Sequence, residues 1–375
     1  MQQAFSGLKV LDFTTTIAGP HCTRMFADLG AEVIKIESDD GDMMRTRPPL
    51  RAGASTSLGQ LNAGKKSVML NLKSAEAAAA ISALVSQSDV LVENFRPGVM
   101  ARFGFDYARL AGLNPRLIYC SISGYGQTGP AADQPAYAPT IHAASGFDRA
   151  NMSYQPDRTR PDYCGVFVAD VIAGTYAFGA IGAALHQRAT TGLGQHLDVS
   201  MLECMLSLTL TELQSAQFDL PPPPKRPIFG PVATSDGFVM LAVASERSFQ
   251  GLARAAGRAD WITDPRFAKY MDRRSNWAML MDEFEVWSRK LTGDTCLATL
   301  GQAGVPASKY RTVREALADP QIAHRAALAE VTDSAGSFLV LNVPFRMSAS
   351  KLVPGPRVAA LGEHTQEVLA RPSLD

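Results

Sequence analysis

Asp170 is an acidic residue within the apolar sequence GVFVADVIAGTY. Burying a carboxylate without a partner is costly and raises its pKa. The sequence allows two interpretations. Asp170 either caps a helix or pairs with a distant arginine, or it is a positioned carboxylate that acts as a nucleophile. The small neighbours Ala169, Ala173 and Gly174 favour the second interpretation, because they would let a bulky substrate approach.

A second candidate is the sequence NAGKKS, in which a glycine precedes two lysines. Backbone N–H and ammonium groups in such a loop can face a phosphate. Gly59, Gly64 and Lys65 fit the first part of the P-loop pattern, but Lys66 stands where that motif needs a Ser or Thr for Mg²⁺. The segment is therefore either a phosphate-facing loop or a solvated connection.

The sequence NFRPG places Arg96 directly after a predicted strand, and Arg102 follows six residues later. A guanidinium group suits bidentate contact with phosphate. Surface arginines are usually only solvated, however. This motif alone therefore indicates a phosphate contact only weakly.

Gly124, Gly126 and Gly129 match the dinucleotide-binding pattern GxGxxG letter by letter. That fingerprint belongs between a strand and the start of a helix. Here Pro130 follows at once, and no helical pattern begins there. The loop is better interpreted as a turn, which disfavours an NAD-dependent oxidoreductase.

The composition limits the class of protein. The chain has 375 residues, of which 46% are apolar and 19% charged, as is typical of a globular enzyme with about two domains. The 36 basic and 36 acidic side chains balance, so no nucleic acid partner is expected. No membrane partner is expected either, because the most apolar segment, residues 166–185, contains Asp170 and three glycines.

The cysteines and histidines show no metal-ligand spacing, and the first residues show no secretory signal. The odd cysteine count predicts reduced thiols in a cytoplasmic protein rather than disulfides. The five cysteines are Cys22, Cys120, Cys164, Cys204 and Cys296. His21 and His142 stand alone near apolar residues, so we interpret them as ordinary core or surface groups.

Strand and helix patterns alternate along the first third of the chain. Strands are predicted at residues 8–13, 32–37, 89–93 and 117–121, and helices at 21–29 and 73–86. Short apolar strands separated by helices indicate an α/β fold with a parallel sheet covered on both faces. Ligands of such sheets bind beyond the carboxyl ends of the strands.

The middle and the tail of the chain differ from this pattern. Helices are predicted at residues 165–188 and 198–218, and the five prolines of residues 220–227 predict a linker. A smaller α+β region follows, with a strand at 237–243, and the tail ends with a helix near 364–369. We expect three segments, which are residues 1–220, 228–329 and 330–375.

Taken in order, these motifs resemble those of the class III acyl-CoA transferase family, which includes formyl-CoA and carnitine CoA-transferases. The matching pieces span nearly the whole chain. They are GLKVLDF from Gly7, AGP from Ala18, LGAEVIKIE from Leu29, KKS from Lys65, VENFRPG from Val92, GYG from Gly124, TGLGQ from Thr191, GVP from Gly304 and LGEHT from Leu361.

The resemblance implies a fold, a nucleophile and a set of contacts. It implies a Rossmann-like large domain completed by the C-terminal segment, a smaller inserted α+β domain, and an interlocked homodimer. Asp170 would be the nucleophile. Coenzyme A would bind as substrate, with no permanently bound cofactor and no metal. Its expected contacts are Ile17, Ala18, Leu70, Asn71, Leu72, Lys73, Asn94, Phe95, Arg96, Arg102, Tyr137 and Ala138.

The implied activity is transfer of coenzyme A from an acyl-CoA thioester to a carboxylic acid, through aspartyl anhydride and aspartyl-CoA intermediates on Asp170. One alternative is an α-methylacyl-CoA racemase, which shares the fold and whose histidine would fall near residues 136–138, where this sequence has Ala, Tyr and Ala. Another alternative is a non-catalytic CoA-binding protein.

Two departures from formyl-CoA transferase-like members concern the substrates. Those members tend to have Gln where this chain has Ile17 and Arg where it has Ser38. Their glycine-run loop is also missing, and Phe229-Gly230-Pro231 is its nearest remnant. These differences predict an acid pair other than formyl-CoA and oxalate.

Overall fold

The computed structural model of the protein describes residues 2–155, 158–218 and 229–370. It divides into two compact units, one made of Met1–Gln217 with Ala323–Asp375 and the other of Phe218–Ile322. The predicted linker at residues 220–227 lies outside the described residues. The predicted domain limits therefore stay a prediction.

The strands of the described residues are short, as expected for a sheet connected by helices. They are β1 (Lys9–Asp12), β2 (Glu32–Glu37), β3 (Leu50–Arg51), β4 (Ala54–Ser55), β5 (Lys66–Met69), β6 (Val90–Glu93), β7 (Ile118–Ser123), β8 (His196–Ser200), β9 (Phe229–Thr234), β10 (Gly237–Ala242), β11 (Ala307–Lys309), β12 (Leu328–Asp333) and β13 (Gly336–Leu341).

The helices connect and cover these strands. They are α1 (Ala18–Asp28), α2 (Thr56–Asn62), α3 (Ala75–Ser86), α4 (Val99–Phe103), α5 (Tyr107–Leu113), α6 (Ala138–Ala144), α7 (Phe147–Ser153), α8 (Val168–Thr191), α9 (Met201–Leu206), α10 (Leu210–Ser215), α11 (Glu246–Ala255), α12 (Tyr270–Ser275), α13 (Trp277–Ser288), α14 (Gly293–Gln302), α15 (Val313–Leu317), α16 (Pro320–His324) and α17 (Thr365–Leu369).

The first unit is built on a parallel sheet of six strands in the order β5-β2-β1-β6-β7-β8. Successive side chains of a strand point to opposite faces. Val10 accordingly packs in a cluster with α1 and α8, whereas Leu11 packs in a cluster with α3 and α5. This arrangement confirms the predicted α/β class with a parallel sheet covered on both faces.

Most predicted elements of the first unit are confirmed, including α3, whose N-cap Ser74 accepts a hydrogen bond from the Ala77 N–H. Two predictions were wrong in extent. Helix α1 begins at Ala18 rather than residue 21. Residues 198–200, predicted as helical, belong to strand β8, because they pair in parallel with the end of β7 and the helix begins only after the cap Ser200.

Helix α8 is the longest in the described residues, with 24 residues, and it carries Asp170. By length and hydropathy alone it could cross a membrane, a property that it shares with core helices of globular proteins. One of its faces is made of small residues packed into the core of the first unit. The fully buried members of that face include Ala169, Ala173 and Ala177.

The second unit contains an antiparallel sheet of three strands, in the order β11-β10-β9. Helices α11, α13 and α14 pack around a core that contains the fully buried Trp261, Phe267 and Phe284. The predicted strand at residues 237–243 is confirmed as β10. The predicted smaller α+β region is therefore present.

The end of the chain contacts the sheet of the first unit. Strands β12 and β13 form an antiparallel hairpin. The His364 N–H then donates to the Ser67 carbonyl on β5 over 2.9 Å, and α17 follows. Val368 on α17 belongs to the same buried cluster as Leu11. The predicted last helix near residues 364–369 is confirmed.

Candidate active site

Asp170 lies in the first turn of α8, which begins at Val168. A carboxylate there faces unpaired backbone N–H groups and the positive end of the helix dipole. Burial raises the pKa of Asp170 to about 6, although the backbone N–H groups of Ala18 and of Asp170 itself donate to the carboxylate and lower its pKa. The carboxylate is therefore ionised at neutral pH and becomes protonated in mildly acidic solution.

No arginine or lysine of the described ranges forms an ion pair with Asp170. Within those ranges, the interpretation of this residue as a carboxylate that pairs with a distant arginine therefore has no support. The backbone N–H that lowers its pKa comes instead from Ala18, the first residue of α1. An unpaired, half-buried carboxylate is unusual in a structural role and is common where a charge takes part in chemistry.

A cavity of about 270 Å³ opens beside Asp170, at the carboxyl ends of β6 and β7. Parallel sheets bind ligands at this edge. The cavity brings together six of the residues predicted from the sequence. These are Ala18, Asn94, Phe95, Arg96, Tyr137 and Asp170.

The other predicted contact residues do not line this cavity. Ile17 is buried beside Met44, and Ala138 is buried at the start of α6. Leu70 and Leu72 pack on the core below β5, whereas Asn71, Lys73 and Arg102 are exposed. Their contact with coenzyme A stays a prediction.

Other lining residues were not among the individually predicted contacts. They are Thr15, Thr16, Met43, Ser123, Gln134 and Met201, among others. Thr15, Thr16, Met43 and Ser123 lie in segments that follow predicted strands, which is the edge where the sequence predicts that ligands bind. Gln134 and Met201 lie outside those segments, and a lone methionine is most often a core residue.

A network of buried polar groups shapes the loop between β1 and α1. The side-chain amide of Asn94 donates to the Thr15 carbonyl, and its oxygen accepts from the Thr15 N–H, both over 2.8 Å. Thr16 has a φ of 71°, a conformation that side chains rarely adopt. The Asp42 carboxylate accepts from the Thr16 N–H over 3.2 Å. The loop that presents the Ala18 N–H to Asp170 is thus held from two sides.

Lys65 does not face a ligand, so its interpretation as a phosphate contact is wrong. Its side chain is buried, and its ammonium group donates to the Asp12 carboxylate over 2.9 Å and to the Thr23 hydroxyl over 2.7 Å. Burial lowers the pKa of Lys65 to about 8, against the opposing charge of Asp12. Burial raises the pKa of Asp12, but Lys65 and Lys35 outweigh it and hold that pKa below its usual range.

His142 is buried, and its Nε2 accepts a hydrogen bond from the Ala169 N–H over 3.1 Å. It therefore contacts the residue before Asp170 and does not line the cavity. A racemase would need a histidine that reaches the substrate α-carbon from the cavity. The position of His142 offers no support for that alternative.

A larger cavity of about 370 Å³ lies in the same unit beside Arg45 and Arg357. Both guanidinium groups are already paired, with Glu37 over 2.6 Å and with Glu363 over 2.8 Å. Asp170 is not among its lining residues. The cavity beside Asp170 is therefore the better candidate for the chemistry.

Comparison with known proteins defines the family. The family description "CoA-transferase family III" matches residues 5–365, and this chain belongs to that family. It is 33% identical to the succinate–glutarate CoA-transferase of Agrobacterium fabrum, over 97% of this chain and 94% of that protein. It is 38% identical to the acetyl-CoA:oxalate CoA-transferase of Acetobacter aceti, over 86% and 84% of the two chains.

A solved structure supports the same assignment. The crystal structure of a CAIB/BAIF family protein from Brucella suis superimposes with a TM-score of 0.87 and 33% identity, over 99% of both chains. The resemblance inferred from the sequence motifs is confirmed. The protein is therefore a transferase that acts on CoA thioesters.

Proposed function

We propose that this protein moves coenzyme A from an acyl-CoA thioester to a carboxylic acid through covalent intermediates on Asp170. The observation that carries the proposal is the Asp170 carboxylate itself. It lines a cavity, has no cationic partner in the described ranges, and has a pKa of about 6. Such a group is ionised at neutral pH, and its nucleophilicity is not reduced by a salt bridge.

The first half of the reaction transfers coenzyme A to the enzyme. The Asp170 carboxylate attacks the thioester carbonyl, the C–S bond breaks, and the products are a mixed anhydride and the CoA thiolate. The thiolate then attacks the aspartyl carbonyl. This step releases the first acid as a carboxylate and leaves an aspartyl-CoA thioester.

The second half reverses these steps with another acid. The acceptor carboxylate attacks the aspartyl-CoA carbonyl and displaces the thiolate, which forms a second anhydride. The thiolate attacks the acceptor carbonyl, and the Asp170 carboxylate leaves unchanged. The Ala18 N–H, which stabilises the charged form of the Asp170 carboxylate, would also donate to the oxyanion that forms at the aspartyl carbon.

Arg96 and Arg102 are suited to the phosphates of coenzyme A. Neither forms an ion pair in the part of the chain that the structure describes, and both are exposed. Exposed guanidinium groups bind phosphate without first losing an internal partner, and of these two Arg96 lines the cavity. The remaining predicted contacts would complete the site for the CoA chain.

We further propose that the acceptor is a short dicarboxylic acid. The relatives named above are a succinate–glutarate and an oxalate CoA-transferase. A cavity of about 270 Å³ suits an acid of that size. Ile17, which stands where formyl-CoA transferase-like members have Gln, favours a pair other than formyl-CoA and oxalate.

A cytoplasmic homodimer is part of the proposal. All five cysteines are free thiols. Around α8 and α10 several large apolar side chains are exposed, among them Val166 at 70%, Phe167 at 50% and Leu210 at 72%. Apolar side chains grouped in this way are typical of a surface that a partner covers. Light scattering after gel filtration should give a mass of about twice the chain mass of 40.2 kDa.

Steady-state transfer tests the proposed function. The purified enzyme is given acyl-CoA donors in combination with succinate, glutarate, oxalate and a monocarboxylate, and the new thioester is identified by chromatography. Transfer by the wild type and its loss in Asp170→Ala would support the proposal. Deuterium exchange at the α-carbon of a branched acyl-CoA, without transfer, would support the racemase instead. Tight CoA binding with neither reaction would support a non-catalytic CoA-binding protein.

A further inference from the structure

Ser123 is a buried polar residue of the Asp170 cavity whose side chain makes no hydrogen bond within the described residues. It is the last residue of β7, and its side chain is 6% exposed. Its hydroxyl oxygen is buried and has no hydrogen-bond partner in the described ranges. The same residue lines the cavity that Asp170 lines.

A buried hydroxyl without a partner is unusual, because leaving it unpaired costs about 1–3 kcal/mol. Ser121 shows the ordinary case two residues earlier on the same strand. Its hydroxyl lies 3.0 Å from Nε2 of His196. The missing partner of Ser123 is therefore a property of its place beside the cavity.

Thr16, Gln134 and Tyr137 also line the cavity with side-chain donors that form no hydrogen bond in the described ranges, but these residues are partly or fully exposed to water. The Thr15 hydroxyl donates to Asp42 over 3.0 Å. Ile122 and Met201, which also line the cavity, offer no donor. Ser123 can turn about χ1 without breaking an internal hydrogen bond, since its hydroxyl makes none. Among the described residues that line the cavity, Ser123 alone has a buried side-chain donor without a partner.

We propose that the Ser123 hydroxyl donates a hydrogen bond to a carboxyl or carbonyl oxygen of the acyl group that reacts at Asp170. The inference rests on the proposed function. The proposed site then has two donors to the reacting acyl group, which are the Ser123 hydroxyl on β7 and the Ala18 N–H on α1. A donor to this oxygen would orient the acyl group beside Asp170 and would stabilise the oxyanion formed on attack.

The test compares Ser123→Ala, Ser123→Thr and wild type in single-turnover formation of the covalent CoA adduct, with free-CoA binding and thermal unfolding measured alongside. In Ser123→Ala we expect adduct formation to slow by about 100- to 1000-fold, as when an oxyanion donor is removed. The affinity for free CoA should stay within twofold, and Ser123→Thr should recover part of the rate. Unlike Ser121→Ala, Ser123→Ala should not lower the unfolding temperature, because no internal hydrogen bond is lost.

Adduct formation by Ser123→Ala within twofold of the wild-type rate would overturn the inference. A loss that appears equally in the affinity for free CoA would also overturn it, since that would indicate a general disturbance of the site. If Ser123→Ala does not fold, Ser123→Cys, of similar shape but with a weak donor, takes its place with the same expected outcome. Absence of adduct from the wild type with every thioester would instead contradict the proposed function.

Discussion

Gly174 on α8 lies directly against the backbone of Ala18 on α1. A Cβ atom on residue 174 would be 2.4 Å from the Ala18 carbonyl oxygen, which is much closer than real contacts allow. Gly174 is one helical turn beyond Asp170. The absence of a side chain at residue 174 therefore lets the two helices approach until the Ala18 N–H reaches the Asp170 carboxylate.

Gly174→Ala should damage both the fold and the activity. The added methyl group must push α1 away from α8, and overpacking of this kind costs about 1–3 kcal/mol of unfolding free energy. The displacement also lengthens the hydrogen bond to Asp170, so we expect kcat to fall at least tenfold. Gly112→Ala on α5 is the matched control, since nothing lies within 4 Å of its added Cβ. Equal kcat in Gly174→Ala and wild type would contradict this account.

The activity should depend on pH through Asp170. The nucleophile is the ionised carboxylate, and burial raises the pKa of Asp170 to about 6. Protonation below that pH removes the nucleophile, so kcat/KM should fall about tenfold for each pH unit on the acid side and level off above. A pH–rate profile between pH 4.5 and 8 measures this decrease of kcat/KM on the acid side. A profile that stays flat down to pH 5 would argue against an Asp170 carboxylate with a raised pKa.

Asp170→Asn should stabilise the fold at neutral pH. The pKa of Asp170 is about 6 in the folded state against 3.8 when solvated, so the folded protein binds this proton more tightly than the unfolded chain. Stability is then lost as the pH rises from 4 to 6. At pH 7.5 we expect the free energy of unfolding of Asp170→Asn to exceed that of wild type by about 1–2 kcal/mol. Near pH 4 we expect the two values to be equal. Urea unfolding of both proteins at pH 7.5 and pH 4 checks this expectation. The same difference in unfolding free energy at the two pH values would contradict it.

Lys65→Met should unfold the protein rather than weaken the binding of coenzyme A. Removing the ammonium group leaves the fully buried Asp12 carboxylate without its main partner, which costs about 3–5 kcal/mol. Lys66→Met is the matched control, because that lysine is partly exposed and its loss should cost about 1 kcal/mol or less. Urea unfolding of both variants measures the difference. A stable Lys65→Met with weakened CoA affinity would restore the phosphate-contact interpretation.

The sheet and the candidate nucleophile could be predicted from the sequence, whereas the contacts that shape the site could not. Apolar strands and the order of the family motifs are local patterns, and they located β1, β2, β6 and Asp170. The role of Lys65 depends on its distance from Asp12, which lies 53 residues earlier. A glycine-lysine loop looks the same in sequence whether the ammonium group points outward or into the core.

The start of α1 is a second feature that local sequence patterns did not predict correctly. The predicted helix at residues 21–29 begins only after Ala18, Gly19 and Pro20, because Gly and Pro usually interrupt elements. In the structure they form the first turn of α1, where proline needs no N–H partner and glycine allows close packing against Thr14. The donor to Asp170 therefore lay in a segment that local rules assigned to a loop.

Intact-protein mass spectrometry of wild type and Asp170→Ala tests the central claim most directly. Each protein is incubated with acyl-CoA thioesters that the wild type is known to consume, and the spectrum is recorded before and after hydroxylamine. We predict a CoA-sized adduct on the wild type that hydroxylamine removes, and no adduct on Asp170→Ala. An adduct of equal yield on Asp170→Ala, or none on a wild type that still turns over, would contradict covalent catalysis by Asp170.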